Sequence, residues 1–166
     1  MLVKQLPLEV RPERKTDTRS QFAALCYRER GGKTEVLLIT SRGTGRWILP
    51  KGWPMTGLTP AEAAMQEAWE EAGVKGEVED QCLGLYSYLK IVEDGPDLPC
   101  VVMVYPVRVK SLARDFPERK ERKRKWFSPK KAAERVAEPE LARMLRDFDP
   151  RRLSKGGEGS EGPSES

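Results

Sequence analysis

A chain of 166 residues suits one domain with a core large enough to hold itself together. Lysine and arginine number 30 against 26 aspartates and glutamates, a net charge of +4 that matters only where it is concentrated. Histidine is absent, which excludes a Ser-His-Asp triad, a histidine-ligated zinc and a histidine general base and leaves carboxylates, lysine, tyrosine or a bound metal for acid-base work.

Residues 1–19 are polar, contain prolines and lack periodicity, so they read as an arm. Lys4, Glu9, Arg11 and Arg14 interrupt any leader pattern, and no run approaches the roughly 20 apolar residues that cross a bilayer, so an unexported, cytoplasmic protein with no membrane partner is expected. A domain follows over residues 20–152. Apolar runs at Gln21–Arg28 and Thr34–Thr40, separated by Glu29-Arg30-Gly31-Gly32, predict a strand, a turn and a strand. Arg46–Leu49 reads as a short third strand, followed by a loop with Lys51, Gly52, Pro54 and Gly57. Next comes the best-marked helix, residues 60–72, with Thr59 as N-cap, Pro60 at its first position, Glu62 as capping-box partner and Gly73 as stop. Strands are expected near 76–89, 98–110 and 121–127. Ser128 caps a helix at 129–136, and Pro139 opens another that ends near Phe148. Residues 153–166, rich in glycine, serine and glutamate, read as a disordered tail. Cys26, Cys82 and Cys100 are odd in number and set in apolar runs, which suits buried thiols in a reducing compartment. The alternation of strands with two or three helices indicates an α/β fold, a sandwich of helices on a sheet.

The chemistry is concentrated on the helix at 60–72. With about 100° per residue, Glu67, Glu70 and Glu71 share an arc of roughly 100°, and Ala61, Met65, Ala68, Trp69 and Ala72 fall opposite. Like charges three and four residues apart repel, and only Lys75 is placed to compensate locally, so a further cation is expected. Ala63 and Ala64 lie on the acidic arc one turn earlier, and their small side chains suggest open space there. A second charged stretch, Arg119-Lys120-Glu121-Arg122-Lys123-Arg124-Lys125, places six cations in seven residues and predicts a basic strand face.

From Gly52 through Gln66-Glu67-Ala68-Trp69-Glu70-Glu71-Ala72-Gly73-Val74 the sequence resembles the Nudix box, in register and without a gap. Leu58 stands where the box carries glutamate, and Gln66 where it carries arginine. In the family those two residues pair and brace the loop against the helix; losing both together leaves no unpaired charge behind. Resemblance to the diphosphoinositol polyphosphate and diadenosine polyphosphate hydrolase branch extends to Leu37–Arg42, Arg46–Pro50 and Arg122–Phe127.

That resemblance implies a Nudix-type α/β/α sandwich, a mixed sheet flanked by helices, and a metal-dependent pyrophosphohydrolase. Glu67, Glu70 and Glu71 would be catalytic and, with the main-chain carbonyl of Gly52, would bind Mg²⁺ or Mn²⁺. The family often adds a ligand from a later loop, for which Glu118 and Glu121 are the candidates. Glu67 is favoured as the base. Ser41, Arg42, Lys51, Arg122, Lys123 and Arg124 would contact the phosphates of a small, highly anionic substrate. The competing reading is a module of the same fold that has lost turnover and binds nucleic acid or a nucleotide through the basic run. Against it stand the retained acids and the absence of an RNA-binding or helix-turn-helix pattern.

Overall fold

The computed structural model describes Pro7 and residues 19–153; the expected arm and tail lie almost wholly outside the described residues. Eleven elements follow in order: β1 (Arg19–Arg30), β2 (Lys33–Thr40), β3 (Trp47–Ile48), β4 (Lys51–Gly52), α1 (Pro60–Ala72), β5 (Val74–Val78), β6 (Gly84–Lys90), β7 (Leu98–Leu112), β8 (Arg124–Phe127), α2 (Pro129–Arg135) and α3 (Pro139–Arg146). They form one mixed sheet in the order β3-β2-β1-β7-β5, with β4 on β1, β6 on β7 and β8 on β2. Its centre is the parallel pair of β1 and β7, running from Arg19 opposite Cys100 to Tyr27 opposite Arg108.

Both faces of this sheet are covered, which is why β1 reads as a continuous apolar run and not as an alternation. Phe22, Ala24 and Cys26 face α1 together with Leu37, Ile39 and Tyr105, whereas Ala23, Leu25 and Tyr27 face α2 and α3 together with Leu38, Val102 and Val104. The expected α/β/α sandwich is therefore the observed architecture.

Helix α1 has the caps that its sequence specifies. The Thr59 hydroxyl accepts from the Glu62 N–H at 3.1 Å, the Glu62 carboxylate accepts from the Thr59 N–H at 2.9 Å, and Gly73 closes the helix at φ 69°. One expectation needs correction: the strand near 76–89 is two strands, β5 and β6, on the same edge of β7. Pro106 supplies the reason. Its carbonyl accepts from Glu79 N–H at 2.9 Å, but it offers no N–H to that edge, so the ladder is interrupted there and resumes at Leu83, whose N–H reaches the Val104 carbonyl.

Because β2 pairs with β1 only over Tyr27–Arg30, the near half of that edge of β1 is left for β4, with Gly52 opposite Phe22 and Lys51 opposite Ala23. The loop after β3 is thus drawn in against the centre of the sheet, directly beneath the acidic side of α1.

Candidate active site

Gly52 and Glu67 meet at this junction. A side chain at position 52 would overlap the Glu67 carboxylate, so glycine here leaves that carboxylate its place against the strand. One turn on, Glu71 accepts the Lys51 main-chain N–H at 3.2 Å. Glu67 and Glu71 are only 9% and 7% exposed and stand one turn apart, with their carboxyl groups adjacent. Burial, aided by the neighbouring Glu71, pushes Glu67 up to about 8. Burial raises Glu71 as well, although the nearby Arg122 charge and the Lys51 N–H pull it down. Glu70 sits at the rim, half-buried, accepting from the Gln66 amide at 2.7 Å. Gln66 therefore turns to its own helix, while Leu58 is held by a turn to the Met55 carbonyl.

The acidic arc is not the open face that the alanines suggested. Ala63 and Ala64 are 1% and 0% exposed and belong to the core beneath the helix. Glu67 and Glu71 continue that buried side, so a charge on Glu71 calls for a partner from another segment of the chain.

Compensation comes from the segment before β8. Turns over residues 117–121 are tied to α1 by the Glu118 N–H, which donates to the Glu70 carbonyl at 3.0 Å. The Glu118 carboxylate accepts Nε of Arg122 at 2.7 Å, and Nη2 of the same arginine lies 3.5 Å from Glu71. Of the two later acids, Glu118 is the one beside the helix; Glu121 instead pairs with Arg42 at 2.9 Å on the surface.

The basic run is divided by strand geometry. Arg124, opposite Ile39, faces α1 and donates to the carbonyls of Ala72 and Ala113 at 2.6 and 2.7 Å, so its guanidinium closes the end of the helix and does not join the expected phosphate-binding wall. Lys123 and Lys125 are exposed. Ser41 staples its own turn, contacting Thr44 at 2.6 Å and the Arg46 N–H at 2.9 Å. Between that turn and Lys120–Lys123 lies a cleft of about 360 Å³, with Thr40, Ser41, Arg122 and Lys123 on its walls. Arg42 stands beside it, its side chain 59% exposed. Lys51 carries its ammonium to the other face of the sheet, 5.0 Å from the Tyr88 ring, and burial lowers its pKa. Sequence reasoning missed Thr40, whose carbonyl accepts from Arg122 and whose hydroxyl accepts the Lys123 N–H; nothing in the sequence distinguishes it from any other polar residue at a strand end.

The donor set, Glu67, Glu70, Glu71, Glu118 and main-chain carbonyls, is all hard oxygen, which suits a magnesium-like ion and not zinc. Two adjacent buried carboxyls are chemically apt to take a cation between them. As the side chains stand, no three acids among the described residues converge on one point.

A NUDIX domain model matches residues 17–148. The chain belongs to the Nudix family. It is 36% identical over 129 residues to Nudix hydrolase 12, mitochondrial, of Arabidopsis thaliana, covering 73% of this chain and 64% of that protein. It is 33% identical over 111 residues to diphosphoinositol polyphosphate phosphohydrolase 3-beta of Homo sapiens, covering 66% and 63%. The Nudix match thus spans a little under two thirds of each relative. Among solved structures, an Ap4A hydrolase of C. elegans superposes with a TM-score of 0.56 at 20% identity, covering 78% of this chain and 95% of that one, a likeness of fold. No helix among the described residues is long and apolar enough to cross a membrane.

Proposed function

We propose that this Nudix chain hydrolyses a diphosphate linkage in a highly anionic small molecule, a diphosphoinositol polyphosphate or a dinucleoside polyphosphate, with Mg²⁺ or Mn²⁺ as cofactor. The observation that carries this reading is the contact between Glu67 and Glu71, two carboxyls taken out of water against a glycine whose missing side chain leaves them room. Such a pair needs a proton or a cation between its members. Glu67, Glu70, Glu71 and the Gly52 carbonyl would hold a divalent ion, with Glu118 as a further oxygen donor at the rim. When bound, the ion supplies charge neutralisation at the phosphate oxygens and a more acidic water. In the reaction, water adds to one phosphorus, the bridging P–O bond breaks, and its electron pair leaves with the departing phosphate. Glu67 is the residue we assign to take the proton of that water.

The preference for several phosphates rests on the cationic cleft. Lys120, Arg122 and Lys123 line it with donors suited to phosphate, and Arg42 is held near it through Glu121, itself a lining residue. Two of the similar proteins carry matching names, a diphosphoinositol polyphosphate phosphohydrolase and an Ap4A hydrolase. A nucleic-acid module has less support, because Arg122 and Arg124 turn inward and break the continuous basic strip that a phosphate backbone would track. The cytoplasm is part of the same reading, as Cys26, Cys82 and Cys100 are all free thiols, which a reducing compartment maintains.

The test is product formation from a diphosphoinositol polyphosphate, a diadenosine polyphosphate, ADP-ribose and a nucleoside triphosphate, with Mg²⁺ and with a chelator. Turnover of the first two, abolished by chelation, is expected. A higher kcat/KM for ADP-ribose would overturn the substrate assignment, and turnover unaffected by chelation would overturn the metal.

A further inference from the structure

Arg122 connects the two halves of the proposed site. Its side chain is 7% exposed, and its guanidinium is divided among three parts of the chain. Nε donates to Glu118 at 2.7 Å and Nη1 to the Thr40 carbonyl at 3.0 Å, both good hydrogen bonds. Nη2 reaches Glu71 only at 3.5 Å, an ion pair without a short hydrogen bond. The arginine is therefore anchored by two nitrogens and loosely attached by the third. Glu71 has other partners, the Lys51 N–H and the Glu67 carboxyl. On its far side Arg122 borders the cleft between the Ser41 turn and Lys123.

We infer that Arg122 is an exchangeable counter-cation: it neutralises Glu71 while no divalent ion is bound, and it releases that carboxylate when one arrives. Its anchors on Glu118 and Thr40 stay in place, so Nη2 keeps its position beside the helix and, no longer engaged by Glu71, is free to donate to a phosphate oxygen that reaches the ion from the cleft. Through Arg122 an ion on the helix and a polyphosphate in the cleft favour each other's binding. The inference rests on the metal-dependent reading above and adds to it a residue that opposes the ion until substrate is present. A guanidinium a few ångströms from an ion site raises the free energy of the bound ion, and removing it should tighten binding on the order of tenfold.

The experiment is a calorimetric titration of the full chain with Mn²⁺, without substrate, on the wild type, Arg122→Gln and Arg122→Lys, with thermal unfolding of the metal-free proteins alongside. Arg122→Gln should bind Mn²⁺ about tenfold more tightly while its metal-free form melts lower. Arg122→Lys keeps the charge and loses the fork, so its Mn²⁺ affinity should stay within about threefold of the wild type. Unchanged or weaker binding by Arg122→Gln would overturn the inference, because an arginine that only holds the site together predicts loss. Should the glutamine variant not fold, a tenfold weakening in Arg122→Lys overturns it equally. A folded wild type that does not bind Mn²⁺ would instead bring down the metal-dependent reading, and with it this one.

Discussion

The two most highly charged regions of the chain, the acidic turns of α1 and the basic run before and along β8, handle their charge in opposite ways. Helical periodicity keeps Glu67, Glu70 and Glu71 on one side, so acids close in sequence remain close in space. A strand sends successive residues to opposite faces, so the basic run is divided: Arg124 turns under α1 while Lys123 and Lys125 stay exposed. The density of charge along a sequence therefore forecasts which charges stay together in space far better on a helix than on a strand, and on neither does it say whether they reach the surface.

The sharpest test of the acidic half is Glu70→Gln or Glu71→Gln, each expected to lower kcat by at least about a hundredfold with the circular dichroism spectrum unchanged, since each removes several kcal/mol of charge stabilisation in the transition state. Full activity in both would mean that the helix carries an ordinary charged face. Gly52→Ala should follow, with turnover down at least about tenfold but stability lowered by less than about 1 kcal/mol, because the new methyl displaces only the movable end of Glu67. Equal losses of folding and activity would show that the loop itself had been forced apart.

On the basic half the comparison predicts a division between two arginines. Arg124→Ala strands two main-chain acceptors at the end of α1, so unfolding free energy should drop by about 1–3 kcal/mol while KM stays put. Arg42→Ala gives up only an exposed pair with Glu121 and should leave the melting temperature alone, yet raise KM severalfold for a polyphosphate and less for ADP-ribose. If KM rises for Arg124→Ala instead, the strand does not divide the run as described.

The smallest effect concerns pH in the presence of a chelator. Folded Glu67 keeps its proton up to about 8, whereas the unfolded chain releases it near the ordinary value of 4.5. The native state thus binds more protons between those limits, and its stability, complete below the lower one, is lost as pH rises through the upper. Melting temperature should accordingly fall from pH 5 to pH 8, and Glu67→Gln should flatten the slope.

How much of this the sequence discloses depends on whether the cause is local. Helix α1 is legible from cap to cap, since Thr59, Glu62 and Gly73 act on backbone groups a few residues away. The acids of the site are legible for the same reason. Arg124 is not, because its destination depends on β8 pairing with β2 in the register that sets it opposite Ile39, a partner far back in the chain. Nor is the burial of Ala63 and Ala64 legible, which depends on the angle at which α1 lies on the sheet. The division of β5 from β6 was partly visible in Pro106, but only to a reader who already knew which edge of β7 that proline faces.

The parallel pairing of β1 with β7 has a consequence for how the molecule forms. The first described strand finds its central neighbour about eighty residues later, so the heart of the sheet cannot close until most of the domain has been synthesised. Loop closure over such a span must be met before the contacts that reward it exist, which puts the chain among slow-folding, high-contact-order topologies. A ribosome-bound fragment ending before residue 98 would expose the apolar edge of β1, and with it the floor on which Gly52 and Glu67 later meet.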